Sequence, residues 1–286
     1  MNKKELLRDK KILLLSLCVM FIISFALASR IIEIRIWSDK VEYLTREPIF
    51  VHYEVKNRGN SPIILSFGLF GEYFKITDEK GNSYANMLLG EYALTDTLQA
   101  NKSYRSKEKI SGRYRVVNAG EYTIVMETPQ GGVLPETRSN TLKIEVKNPA
   151  GEEKKALDLY LDAQKLDWNK EKDPQKWEQA FYKYLELVDK YPKSVYAPMC
   201  LYTALFKAHV IKDKNIVLSV CKRLIENYSE SYYVDEAFYN LVGNYKVLDD
   251  KAGALEYMRE LIKKYPNTKI SESAEYWLGK TEKEEF

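Results

Sequence analysis

Histidine is almost absent: the chain has two in 286 residues, His52 and His209. With it goes much of the usual means for general acid–base work and metal ligation near neutral pH. His52 falls on the polar side of an alternating stretch and His209 near the end of a helical one, and neither has a nucleophile motif beside it. Cysteine is as scarce, with Cys18, Cys200 and Cys221 the full complement. That excludes a disulfide framework and any cysteine–histidine cluster at zinc spacing. No glycine-rich phosphate loop occurs. "DEKGN" at 78–82 lacks the alternating acids and terminal glutamate of a calcium loop, and reads as a turn. Thirteen glycines and nine prolines are too few for collagen-like or long disordered segments. The expectation is a non-enzymatic protein with no metal and no cofactor.

An excess of charge is missing too, once the first 28 residues are set aside. Those residues carry Lys3, Lys4, Arg8, Lys10 and Lys11 against Glu5 and Asp9, a net of +3 that equals the whole chain's +3. The remainder is close to neutral and has no basic footprint for nucleic acid. The basic start, the apolar run from Ile12 to Ala28 and the A-x-A at Ala26-Leu27-Ala28 form a signal peptide. An uncleaved anchor is the alternative, since the run approaches the roughly 20 residues that span a bilayer. A periplasmic or secreted location is expected, or a membrane-anchored one if the leader stays. Cys18 follows Leu17, where a lipid-attachment box wants a small residue.

What is abundant is hydrophobic patterning, in two different periods. Residues 29–147 alternate. "IEIRIW" sets Ile32, Ile34 and Ile36 on one side, and "FVHYEVKN" sets Val51, Tyr53 and Val55 against His52, Glu54 and Lys56. "YFKITDEKGNSY" reads as a hairpin bending at 78–82, and "EYTIVMET" and "TLKIEV" as further strands. Short alternating strands between polar turns predict an antiparallel sandwich. "TPQGGVLPETRSN" at 128–140 interrupts a hairpin with a long loop carrying Val133, Leu134 and Pro135. Apolar residues at a loop tip mark a candidate contact surface.

From residue 155 onward the period is helical and the sequence repeats every 37 residues. Tyr191, Tyr228 and Tyr265 keep that spacing, as do Tyr202, Tyr239 and Tyr276. So do the small residues Cys200, Ala237 and Ala274, and the pairs Leu187-Val188, Leu224-Ile225 and Leu261-Ile262. Such a period signals stacked helical hairpins. A divergent first hairpin is expected over Glu152 to Trp168 and Trp177 to Lys190, then two regular ones, then a capping helix after Tyr265. Residues 148–154 are expected to link the halves. A hairpin turning near Lys212 sets Cys200 opposite Cys221. Axes about 8–10 Å apart favour buried free thiols over a disulfide, which needs Cα atoms within about 7 Å.

These positions resemble the tetratricopeptide repeat. With Asp235 first, Phe238, Leu241, Val242, Tyr245, Ala254, Met258, Leu261 and Pro266 occupy the family's large, large, small, large, small, large, small and proline positions, Val242 departing from the usual glycine or alanine and Met258 and Leu261 matching imperfectly. The "Y-P-x-S/T" stop followed by "A-x-Y-x-L-G" is similar to the subclass in bacterial envelope proteins, among them outer-membrane-assembly lipoproteins and the periplasmic coordinator of the Tol–Pal system. The array is shorter than in the assembly lipoproteins and no lipid-attachment cysteine is present. In the strand half, Gly120-Glu121-Tyr122 resembles the tyrosine corner of immunoglobulin-like sandwiches. The stretch from "ITDEKGNSY" to "NAGEYTI" is similar to small bacterial sandwich domains that include a proteinase-inhibitor family.

The resemblances imply an all-β plus all-α chain: an immunoglobulin-like antiparallel β-sandwich at 29–147, then a tetratricopeptide α-solenoid at 155–286. They imply a scaffold that binds an envelope protein or peptide, with self-association also compatible. One side of each first helix would line the groove. That makes Tyr202, Tyr239 and Tyr276 candidate contacts, with Phe206, His209 and Lys246, and with Met199, Glu236 and Lys280 nearby. The alternative function is a proteinase inhibitor acting through the Val133-Leu134-Pro135 loop.

Overall fold

The computed structural model describes residues 32–67, 74–84, 94–114, 116–128, 137–167, 173–211 and 213–283. The chain divides into two compact units, the first ending at Asn148 and the second beginning at Pro149.

The first unit is strand-rich. Its strands are β1 (Ile32–Trp37), β2 (Glu42–Leu44), β3 (Phe50–Asn57), β4 (Ile63–Phe67), β5 (Phe74–Asp78), β6 (Ser83–Tyr84), β7 (Leu94–Leu98), β8 (Ser103–Lys109), β9 (Gly120–Met126) and β10 (Leu142–Lys147), with a single helical turn at Ile110–Arg113. Three sheets form among the described residues, in the orders β1-β3-β8, β2-β10-β9-β5-β6 and β4-β7. Alternation decides which side each strand buries. Ile32, Ile34 and Ile36 are buried while Arg35 and Trp37 are exposed; Tyr122, Ile124 and Met126 are buried on β9. Both larger sheets feed one core cluster, which also takes Val51, Tyr53 and Val55 from β3 and Ile144 and Val146 from β10. Each such aliphatic side chain contributes about 1.5–3 kcal/mol by leaving water.

One pairing departs from the antiparallel expectation: β2 runs parallel to β10, with Tyr43 opposite Val146. A three-residue strand shows too little alternation to be read from sequence, and here it is an edge fixed by a partner a hundred residues later. The predicted hairpin at β5 and β6 forms. Asp78 closes its bend, its carboxylate accepting from the amides of Lys80 (3.0 Å) and Asn82 (2.8 Å). At the start of β9 the Tyr122 hydroxyl donates to the Asn118 carbonyl at 3.0 Å.

The second unit is helical: α1 (Gly151–Asp167), α2 (Pro174–Lys190), α3 (Ala197–Ile211), α4 (Lys214–Asn227), α5 (Val234–Val247), α6 (Lys251–Lys264) and α7 (Lys269–Lys283). Helix α1 opens at Gly151, so residues 151–154 of the stretch expected to be linker are already helical. Aspartates start the second helix of each hairpin. Asp173 accepts from Gln175 N, Asp213 from Asn215 N and Ile216 N, and Asp250 from Gly253 N. The periodic tyrosines end the same helices. Tyr191, Tyr228 and Tyr265 are their C-caps and donate main-chain N–H groups to Leu187, Leu224 and Leu261 at 2.8, 3.2 and 2.9 Å. The periodic small residues Cys200, Ala237 and Ala274 are fully buried, as are Ala180, Val217 and Ala254. Small side chains at these places let the helices approach, and Phe181, Phe238 and Leu241 fill the space between them.

Candidate interaction face

The first helices of the hairpins, α3 and α5, and the last helix α7 bring Tyr202, Tyr239 and Tyr276 to equivalent positions, but the three rings do different things. Tyr202 packs. It stacks on Tyr233 with centroids 4.3 Å apart and planes 19° from parallel, and meets Phe206 edge-on at 4.9 Å. Burial, and after it the Glu236 carboxylate, push its phenol above the ordinary value. Tyr239 and Tyr276 remain 65% and 58% exposed, and Phe206 48%. Large rings left this open on a helix that is otherwise well buried mark a contact surface rather than a core.

Trp277 joins them. Half-buried on α7, it lies 6.0 Å from Tyr239 and 5.5 Å from Tyr276, and so ties the rings of two helices into one group. The Lys280 ammonium stands over both α7 rings, 5.0 Å from Tyr276 and 5.4 Å from Trp277, within cation–π range. Tyr232, 37% exposed, meets Tyr233 edge-on at the start of α5. Trp277 and Tyr232 do not recur at 37-residue spacing, so a search by period passes over them, whereas Tyr233 does recur, as Tyr196, and was open to that search.

The remaining candidates separate. Lys246 and Glu236 are exposed on α5. Met199 is buried and belongs to the packing, so it leaves the face. His209 falls on α3, but its side chain lies outside the described residues, as do Val133, Leu134 and Pro135. The base of that loop is tied: Thr128 N donates to Thr137 O at 3.0 Å, and Thr137 N to the Thr128 hydroxyl at 2.7 Å.

Elsewhere, among the described residues, two surface depressions stand out. One, of about 440 Å³ on α4, is lined by Leu218, Lys222, Arg223 and Glu226, whose charges are engaged already: Arg223 with Asp189 at 2.6 Å and Glu226 with Lys264 at 2.8 Å. The other, of about 220 Å³ on the five-stranded sheet, is lined by Glu42, Glu145, Glu121 and Glu79. Among the described residues no group of three or more histidine, cysteine or acidic side chains is placed to hold a metal ion. Cys200 and Cys221 are free, buried thiols, and burial pushes the Cys221 thiol up to about 12, which leaves it unreactive.

No curated protein matches the chain. Among solved structures it is similar to the sporulation control protein Spo0M of Bacillus subtilis (13% identity over 47% of this chain and 54% of that one, TM-score 0.25). It is also similar to the yjhA protein of Bacillus subtilis (17%, 39% and 87%, TM-score 0.21) and to a multi-domain immunophilin of Arabidopsis thaliana (10%, 85% and 97%, TM-score 0.26). The chain thus spans about half the length of Spo0M, and at these TM-scores none of the likenesses carries an argument. The family comparison is sharper: the tetratricopeptide repeat model matches residues 236–268, which cover most of α5 and all of α6. The helical unit therefore contains a tetratricopeptide repeat, a module of protein–protein interaction.

Proposed function

We propose that this protein is a non-enzymatic interaction scaffold of the bacterial envelope, and that it docks a protein or peptide on the aromatic face of α3, α5 and α7. The observation that carries the reading is the exposure of Phe206, Tyr239 and Tyr276 on equivalent sides of three helices, within and beside a tetratricopeptide repeat. Tyrosine and tryptophan supply large, rigid contact area with a polar edge and little ordering cost. The envelope location rests on the leader at 1–28; among the described residues no helix is long and apolar enough to cross a membrane. We read the strand-rich unit as an immunoglobulin-like sandwich that holds a second contact. Two features support this: the single core shared by its larger sheets, and the Tyr122-to-Asn118 hydrogen bond, which has the form of a tyrosine corner.

The test is a crosslinking capture from native envelopes, with the intact protein against Tyr239→Ala/Tyr276→Ala. Tyr202 is left in place because it packs on Tyr233. Loss of a specific partner, with the helical content kept, is the expected result. An unchanged set of partners would reduce these rings to surface decoration and move the search to the sandwich.

A further inference from the structure

The two larger sheets of the strand-rich unit turn opposite charge outward. Strand pairing lines up rows across β1, β3 and β8: Arg35, Glu54 and Arg105 form one, and Trp37, His52 and Lys107 the next. They lie on the side away from the core, since Ile34, Ile36, Tyr53 and Val55 on the other side are buried. Lys56 and Arg58 add two cations here, and the acids present are Glu33, Glu54 and Asp39, so five cations meet three carboxylates. The side is open: the side chains of Arg35 and Arg105 are 65% and 72% exposed. The five-stranded sheet has the reverse. Glu145 on β10 stands directly opposite both Glu42 on β2 and Glu121 on β9, three carboxylates in one row. Like charges so placed cost a sheet stability. With Glu79 they line the depression of about 220 Å³, and the exposed Val41 forms its apolar rim. Lys147 reaches Glu42 at 2.7 Å and Glu145 at 3.2 Å, and Lys143 lines the same hollow, so four carboxylates meet two cations. Among the described residues neither Glu79 nor Glu121 has a basic side chain at ion-pair distance.

We propose that the strand-rich unit associates with further copies of itself head to tail, the cationic side of β1-β3-β8 in one copy seating on the acidic depression of β2-β10-β9-β5-β6 in the next. Charge complementarity selects the occupant. An excess of two positive charges on one side matches an excess of two negative charges on the other, and the arginine fork suits carboxylates. Neither side fits itself, because like would then meet like, so a two-fold dimer through one of them is excluded. The seated cations also relieve the repulsion in the Glu42-Glu145-Glu121 row, which does the isolated fold no service. Trp37 and Val41 supply apolar contact at the edges of the two sides. Because both sheets turn their inner sides to one core, the two outer sides point apart. Each added copy therefore leaves one side of each kind open, and growth continues past two unless a ring closes. Three strands at about 4.8 Å spacing make a narrow contact, smaller than the roughly 800 Å² a side of a standard interface. Association is accordingly expected at about 10–100 μM. None of this draws on the aromatic face of the helices, so the two readings stand or fall separately.

The experiment is sedimentation velocity of the purified protein over about 1–200 μM, at about 50 mM salt and again at about 500 mM. Species larger than a dimer are expected to grow with concentration at low salt and to recede at high salt. Glu42→Gln/Glu121→Gln neutralises the acidic side, and Arg105→Gln/Lys107→Gln the cationic one. Each variant alone should associate about tenfold more weakly or less. The first should keep or raise its melting temperature, since it breaks up the carboxylate row. An equal mixture of the two retains one intact side of each kind, and should form a species of two copies and nothing larger. Should Arg105→Gln/Lys107→Gln fail to fold, Arg35→Gln removes a cation from the same side and takes its place in the mixture. The inference is overturned if the intact protein stays monomeric throughout at low salt, which would leave both sides to a partner of another kind. Growth that stops at two copies, association equal in the variants, or a mixture that stays monomeric would each overturn it as well.

Discussion

The two units close their structure in opposite ways. In the helical unit one solution is used repeatedly: an aspartate opens the second helix of each hairpin, a tyrosine ends it, and Ser194, Ser231 or Thr268 bonds back to that tyrosine's carbonyl to turn the chain into the next first helix. Nearly all of these bonds span four residues or fewer. The strand-rich unit uses each solution once, and two of its closures reach over long distances. Asn140 pairs both its amide groups with the main chain of Ile36 at 2.9 Å, covering the open edge of β1. Buried Asn57 donates to Leu98 O at 3.1 Å and to Ser61 O at 2.8 Å, joining the end of β3 to β7 and to the turn before β4. Repeated local closure makes a unit whose parts depend mainly on their neighbours. Single long-range closures make one in which any loss is felt by both sheets.

Core truncation is the largest way to break that contrast. Phe238→Ala and Ile124→Ala remove fully buried side chains from the two units and should cost about 3–5 and 2–5 kcal/mol respectively. Energy will not distinguish them; reach will. Hydrogen exchange should show protection lost around α5 to α7 in Phe238→Ala, with α1 and α2 still protected. In Ile124→Ala the amides of β1 and β3 should open together with those of β9 and β10. Uniform loss across all seven helices in the first variant would mean that the helical unit is a single cooperative block.

The same difference explains what could be read from the sequence. The helical unit was the more legible, because a 37-residue period repeats the tyrosine helix ends and the small packing residues, so three tyrosines announce three helix ends; the cap Asp173 lies outside that register, 40 residues before Asp213. Strands with a full buried side, β1, β3, β9 and β10, were legible from alternation. β2, β4, β7 and β8 were not: β2 is too short to alternate, and β8 is a half-buried edge rich in charge, so its pattern is polar throughout. At the candidate face the period found Tyr202, Tyr239 and Tyr276 but gave them one role. Tyr202 differs because Tyr233 stacks over it, whereas the position one repeat after Tyr233 is Ile270, which offers Tyr239 no ring.

A smaller sharpening comes from single polar closures. Tyr122→Phe loses the donation to Asn118 and should cost about 1 kcal/mol; burial pushes that hydroxyl up to about 12, so it stays a donor at ordinary pH. Asp250→Ala loses the cap on α6 and should cost about 0.5–2 kcal/mol. The cap, however, is locally replaceable. Removing the Asp250 carboxylate clears the space a Cβ at Gly253 would need, so Asp250→Ala/Gly253→Ala should recover roughly 0.5–1 kcal/mol of that loss. Urea denaturation of the three variants measures this. A double variant no more stable than Asp250→Ala would show that Gly253 answers to something other than the cap.

The smallest effect expected is in the β5–β6 turn, and its sign is fixed by the direction of one ionisation. The Asp78 carboxylate is held below its ordinary value of 3.8, first by the hydrogen bond from the Asn82 side chain and then by the amides of Asn82 and Lys80 and the hydroxyl of Tyr84. A carboxyl whose value is lowered by folding binds its proton more readily in the unfolded chain. Its contribution is therefore complete above 3.8 and fades as the pH falls from there through the lowered folded value. Asp78→Asn keeps an acceptor for the turn but removes the ionisation. The variant should be slightly less stable at neutral pH, and its stability should fall less steeply than that of the intact protein on acidification below 3.8. Unfolding monitored by strand circular dichroism across that range compares the two slopes. Equal slopes would mean that the turn's hydrogen bonds to the carboxylate are no better than those water makes, and that this hairpin is held by Ile76 and Tyr84 instead.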